Sequence, residues 1–134
     1  LKKPYLFMVA AVSDFTPKFP QLGKLKKSML GESWNIELKQ TPDILSSLDK
    51  TDIKTIAFKA EMDSQNGLSN AQSLLEAKHV DAVCYNLLDN AQSFGTSDNE
   101  ITFITKEAQT PLGKADKLTL SDRILTQAKE LIDV

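Results

Sequence analysis

The side chains of this chain that could do chemistry fall into a few short groups. Asp14 directly follows the apolar run from Tyr5 to Val12. A carboxylate there can hydrogen-bond a polar ligand, help hold a divalent cation, or simply cap the turn. Lys24, Lys26 and Lys27 stand in a segment broken by Gly23 and Gly31. Each ammonium is a compact charge on a flexible stem, suited to a phosphoryl group; the bland reading is a solvated basic loop. Thr41-Pro42-Asp43 precedes Ile44 and Leu45, a sequence that predicts a helix start. The Thr oxygen can accept an orphan N–H, Pro fits the first helical position, and Asp43 places a negative charge near the positive terminus. Free N–H groups at such a start can face an anion or a base carbonyl, or belong to an ordinary capped helix.

Phe58 ends an apolar run and can pack against a base or sugar, or enter the core. Lys59 and Glu61 read as an exposed ion pair of small energetic value. His79 has no Ser, Cys or Asp at a catalytic spacing, since its neighbour Asp81 makes no triad alone. Cys84 sits inside an apolar run and predicts an inert buried thiol. The glycines, at 23, 31, 67, 95 and 113, are too scattered for a phosphate-binding turn. Aromatics do not interleave with basic residues as an RNA-binding sheet requires.

These groups need elements to position them. Tyr5 to Val12 reads as a strand buried on both faces, and residues 13 to 33 as a long irregular segment held out of helix by Pro17 and Pro20. Trp34, Ile36 and Leu38 alternate with polar residues, the pattern of a half-exposed strand. Ile53 to Phe58 and Val80 to Tyr85 predict buried strands, with a helix over Leu68 to Lys78 between them. A polar, turn-rich tract spans Asp89 to Asn99. Ile101 to Thr105 predicts a strand, and a helix follows from about Leu118 or Ser121 to Ile132. Strands alternating with amphipathic helices predict an α/β fold with a mostly parallel sheet. Such sheets collect ligand groups at the carboxyl ends of their strands. Ala10 to Asp14, Phe58 to Glu61 and the stretch from Asn86 are then the expected rim, with the turn Phe94 to Asn99 more distal.

Composition sets the bounds. With 134 residues the chain suits one domain, and a single Cys cannot build a disulfide framework or thiolate cage. The near balance of 16 Lys and Arg against 18 Asp and Glu is only a weak argument against nucleic acid, because local patches matter more than totals. No apolar run approaches the roughly 20 residues that span a bilayer. The expectation is a cytoplasmic protein with neither nucleic-acid nor membrane partners.

A family resemblance runs in order along nearly the whole chain. Ala10-Ala11-Val12-Ser13-Asp14-Phe15, Lys24-Leu25-Lys26-Lys27, Thr41-Pro42-Asp43-Ile44-Leu45, Phe58-Lys59-Ala60-Glu61, Asp81 to Asn86 and Phe94 to Glu100 resemble successive motifs of bacterial phosphopantothenate–cysteine ligase. That enzyme is the ligase half of the bifunctional coenzyme A biosynthesis flavoprotein. Leu74 departs from the usual first lysine of a helical pair, and Leu87 from an Asp. The resemblance implies a three-layer Rossmann-like domain with a mostly parallel sheet. Residues 1–134 would be the C-terminal portion of the ligase domain, lacking its N-terminal part and inactive alone.

It also implies joining of 4′-phosphopantothenate to cysteine with CTP and Mg²⁺ through an acyl-cytidylate, in a homodimer. FMN would belong only to a decarboxylase domain outside this chain. Carried over by motif, Met8, Val9, Ala10, Asp14, Lys24, Pro42, Asp43, Ile44, Leu45, Phe58 and Lys78 would contact the nucleotide. Lys24, Lys78 and Asn86 would serve catalysis, and no metal ligands are assigned. The alternative is a non-catalytic nucleotide-binding or interaction module; a dinucleotide redox domain lacks its glycine turn.

Overall fold

The computed structural model describes residues 2–88 and 95–131. The chain forms β1 (Tyr5–Met8), β2 (Phe15–Pro17), α1 (Lys27–Leu30), β3 (Leu38–Gln40), α2 (Ile44–Ser47) and β4 (Lys54–Glu61). It continues with α3 (Gly67–Lys78), β5 (Ala82–Leu87), β6 (Asp98–Ile104), β7 (Gln109–Asp116) and α4 (Lys117–Lys129). These elements divide into two compact units. One comprises Leu1–Val9 with Leu48–Val134, the other Ala10–Ser47.

The larger unit is built on a five-stranded sheet of order β1-β4-β5-β6-β7. β1, β4 and β5 run parallel, and β6 and β7 are antiparallel additions. The α/β class therefore stands. β4 and β5 carry buried apolar stretches because both of their faces meet protein, whereas β1 is only partly covered. One face carries Ile56, Ala82, Cys84, Ile101 and Phe103 against Leu120, Ile124 and Ala128 of α4. The alternate side chains point the other way, where α3 buries Ala71 and Leu75. Asp116 starts α4 by accepting the Thr119 N–H at 3.0 Å, which satisfies one of the helix's orphan donors. Asp81 ties the entrances of β4 and β5 together, accepting the Thr55 N–H at 2.7 Å and pairing with Lys54 at 3.3 Å.

The smaller unit holds a two-stranded antiparallel ribbon, Phe15 opposite Gln40 and Pro17 opposite Leu38, and two single-turn helices. None of its residues is buried.

Several expectations are corrected. The first strand stops at Met8 rather than Val12, and the alternating stretch Trp34 to Leu38 enters a strand only at Leu38. β4 extends to Glu61 and β5 to Leu87, so Phe58 and Asn86 lie inside strands rather than beyond them. β7 was unforeseen: it carries Pro111 and Gly113, residues that disfavour a central strand but that an edge strand tolerates. Phe94 and Ile132 lie outside the described residues.

Candidate functional site at the carboxyl rim

The register of the parallel strands fixes what can meet at the rim. Met8 pairs with Ala57, Phe58 with Cys84, and Ala60 with Asn86. Because side chains alternate along a strand, Phe58, Ala60 and Asn86 project to the face that carries Ile56 and Cys84. Phe58 packs half-buried against that core. The Asn86 Oδ1 is buried without a hydrogen-bond partner. An unpaired buried acceptor costs on the order of 1–3 kcal/mol, so this oxygen is an acceptor waiting for a donor.

β6 brings a fourth segment to the same end. It runs antiparallel to β5, with Asn86 opposite Ile101, which sets its start at Asp98 and Asn99 beside the end of β5. The turn expected to be distal therefore belongs to the rim, where a cavity of about 270 Å³ is lined by Asn86, Thr96, Asp98, Glu100 and Lys114. No residue pattern signals this, since strand direction cannot be read from an apolar run.

On the opposite face Tyr85 lies beneath the first turn of α3, 7% exposed. Burial, then the charges of Glu61 and Asp63, push its hydroxyl pKa up, which keeps it protonated. Glu61 is paired with Lys59 at 3.1 Å, as expected. Asp63 accepts the backbone N–H groups of Gln65 and Asn66 and the Asn66 amide, and these bonds hold its carboxyl below the ordinary range. Cys84 is buried, and desolvation pushes its thiol up to about 12. It is the inert core thiol its surroundings suggested.

Lys78 is not part of this rim. It is the last residue of α3, which returns the chain to the amino ends of the strands. There His79 caps the helix in the left-handed conformation, φ 50°, and lines a different cavity with Lys54 and Asp81. The length of β4, roughly 20–25 Å at about 3.3 Å per residue, separates Lys78 from Asn86. The expectation that they act together is corrected by the direction of α3.

Within the smaller unit, Asp14 and the helix start do come together, because the Thr41 N–H donates to the Asp14 carbonyl at 2.8 Å. The cap differs from the expected one. Asp43, not Thr41, accepts the Ser46 N–H at 3.0 Å, while the Thr41 Oγ1 is buried without a partner. Pro42 precedes that single turn, and Ile44 and Leu45 are its first two residues. Lys24 is exposed after Gly23, Lys26 stands just before α1, and Lys27 opens it.

Among the described residues the larger unit's rim can bind and orient through Asn86 and Phe58. Among the described residues no group of three His, Cys, Asp or Glu is placed to hold a metal ion, and no helix is long and apolar enough to cross a membrane.

A model of the DNA/pantothenate metabolism flavoprotein C-terminal domain matches residues 2–131. The coenzyme A biosynthesis bifunctional protein CoaBC of Vibrio cholerae is 33% identical over 120 residues, covering 87% of this chain and 30% of that protein. A human protein named phosphopantothenate–cysteine ligase is 29% identical over 128 residues, 93% of this chain and 37% of that protein. Among solved structures, the C-terminal domain of CoaBC superposes with a TM-score of 0.68 at 24% identity, over 96% of this chain and 54% of that one. A Cab2 variant in complex with phosphopantothenate-cysteine gives 0.63 at 20% identity, over 92% and 43%. The chain thus spans about a third of the length of its curated relatives.

These findings correct the narrower identification drawn from motifs. The matching family is the C-terminal domain of a flavoprotein. The expectation of a CTP-dependent ligase domain goes beyond it and is not retained, nor are CTP, Mg²⁺, free 4′-phosphopantothenate and cysteine, or a ligase homodimer. The ligase name of the human relative is a statement about that protein. The placing of FMN solely outside this chain falls too, because the family is itself named for a flavoprotein. The rim's own charged side chains, however, offer a phosphate no seat. Glu61, Asp63, Asp98 and Glu100 outnumber Lys59 and Lys114 there, and Lys59 is already paired, so the phosphate of FMN or of any other ligand would have to lie away from these carboxylates.

Proposed function

The chain belongs to the family of DNA/pantothenate metabolism flavoprotein C-terminal domains, and from that premise we propose that it is the part of a coenzyme A biosynthesis protein that holds a phosphopantothenate–cysteine conjugate. The seat is the carboxyl rim of β1, β4 and β5. The observation that carries this reading is Asn86, whose buried Oδ1 has no partner, one strand away from Ala60 and on the face of Phe58. The conjugate is a chain of amides, each with an N–H to donate, and its apolar backbone can lie on the Phe58 ring. The ligand in the Cab2 complex, a protein of the same fold, supports the choice of ligand class. The role of these residues is to bind and orient. No covalent step is assigned to Asn86, and none is routed through a flavin.

Titration calorimetry with the synthetic conjugate tests this. The wild-type chain should bind, and Asn86→Ala should weaken binding by roughly 5- to 150-fold, the loss of one buried hydrogen bond. Phe58→Ala should weaken it less. Absence of binding at millimolar conjugate, or an Asn86→Ala variant that binds as well as wild type, would overturn the reading.

A further inference from the structure

Asn66-Gly67 is the one Asn-Gly pair in the sequence, and that dipeptide carries its own chemistry. With no Cβ on the glycine to shield it, the Gly67 nitrogen can attack the Asn66 side-chain carbon. A bond forms from the Asn66 Cγ to the Gly67 nitrogen. That nitrogen gives up its proton, and the side-chain amide takes one and leaves as ammonia. Water then opens the five-membered imide at either carbonyl, which leaves aspartate or isoaspartate in place of Asn66. Nothing is oxidised or reduced, and water is the only co-reactant.

The fold holds the two reacting atoms apart, largely through one residue. Asp63 Oδ1 accepts the N–H groups of Gln65 at 2.9 Å and Asn66 at 3.0 Å, and its Oδ2 accepts the Asn66 side-chain amide at 2.9 Å. The Asp63 carbonyl takes the Gly67 N–H at 2.8 Å, and the Asn66 carbonyl takes the Asn70 N–H at 2.8 Å. Asn66 therefore sits in helical geometry, φ −108° and ψ −13°. Ring closure requires the Asn66 Cβ and the Gly67 nitrogen to eclipse about the Cα–C bond, and this ψ sets them well apart. Turning it swings the Asn66 carbonyl off Asn70 and the Gly67 N–H off Asp63. The first turn of α3 must open before the reaction can start.

Isoaspartate adds a methylene to the main chain directly before Gly67. That glycine is buried, and even a Cβ on it would stand 2.5 Å from the Tyr85 Oη and 3.2 Å from the Glu61 Cβ. A main-chain insertion at this point cannot be absorbed without moving the start of α3 off Tyr85. Asn66 itself is exposed, so water reaches the site. We propose that Asn66-Gly67 is a self-modification site, an imide-forming pair locked by Asp63, whose slow conversion to isoaspartate unseats the first turn of α3. Because the turn must open first, the modification records the time the turn has spent open. The proposal is independent of the ligand assigned to the rim.

Peptide-map mass spectrometry of this chain, incubated in mildly alkaline buffer with and without urea, tests it. Conversion at Asn66 should be at least about 5-fold slower in the folded chain than in the unfolded one, the protection of hydrogen bonds to a charged group. Asp63→Ala should speed conversion in the folded state by about 2- to 30-fold, the effect of losing a capping carboxylate. Asp63→Asn keeps an acceptor oxygen and should stay closer to wild type. The isoaspartate form, isolated from aged protein, should melt below the fresh chain, whereas Asn66→Gln aged in parallel should not change. Equal rates in folded and unfolded wild type would overturn the lock, as would an Asp63→Ala variant that converts no faster than wild type. If Asp63→Ala does not fold, the folded-to-unfolded ratio of wild type and the Asp63→Asn rate decide the matter. An isoaspartate form that melts with the fresh chain would overturn the unseating of α3.

Discussion

Asp81 shows how much one carboxylate can organise. It takes the N–H of Thr55, a residue with 0% exposure, and pairs with Lys54 across side chains 14% and 30% exposed. Two effects compete there: the buried hydrogen bond and the partly screened ion pair. Asp81→Ala leaves the Thr55 N–H unpaired and should cost about 1–3 kcal/mol in urea unfolding. Asp81→Asn keeps an acceptor oxygen and should lose less than half as much. Equal losses would instead make the charge dominant. The sequence showed this residue only as a neighbour of His79 and as one position of a motif, because its partner lies 26 residues away. Cys84 and the Lys59–Glu61 pair were legible, since local hydrophobicity and a two-residue spacing determine them. Lys78 was misplaced because a motif records order along the chain and not the direction of the helix that carries it.

At the level of elements, α3 depends on one glycine for its fit to β5. A Cβ on Gly67 would stand 2.5 Å from the Tyr85 Oη and 3.2 Å from the Glu61 Cβ. Gly67→Ala gains up to about 1 kcal/mol in helix propensity, but overpacking against a rigid ring costs typically 1–3 kcal/mol. The variant should therefore be less stable than wild type, and adding Tyr85→Phe should recover part of the loss in a double-mutant cycle.

The start of α4 predicts a pH dependence. Thr119 hydrogen bonds, first from its side chain and then from its backbone, hold the Asp116 carboxyl below its ordinary range. The folded form takes up this proton less readily than the unfolded one. The contribution is thus fully present above the unfolded carboxylate pKa of about 3.9 and disappears as pH falls through the lower folded value. Asp116→Asn retains a capping oxygen without the titration. Its melting temperature should fall less between pH 5 and pH 2.5 than that of wild type; an identical acid limb would exclude Asp116 as a contributor. The helices and parallel strands were readable because their periodicities are strong. β7 was not, because an edge strand can carry a proline and a glycine that elsewhere signal a loop.

The whole molecule is uneven in a way that composition conceals. All of its buried core residues belong to the unit formed by Leu1–Val9 and Leu48–Val134, and none to Ala10–Ser47. The smaller unit exposes Phe15, Phe19, Leu22, Met29 and Trp34, and its order rests on a three-residue ladder and single helical turns. Segments with few buried apolar contacts open at small free-energy cost, while core strands open only with global unfolding. Proteolysis reads that difference directly. Trypsin under native conditions should cut first after Lys18, Lys24, Lys26, Lys27 or Lys39, and only later after Lys59, Lys78 or Arg123, leaving the carboxyl-side piece of the sheet intact on a gel. Early cleavage at Lys59 or Lys78, within β4 or at the end of α3, would mean that the five-stranded sheet is not the stable part of the molecule. The sequence marked residues 13 to 33 as irregular but could not show that the surrounding stretch lacks a core, because apolar residues such as Phe15, Leu25 and Trp34 recur along it and their exposure is a property of the fold.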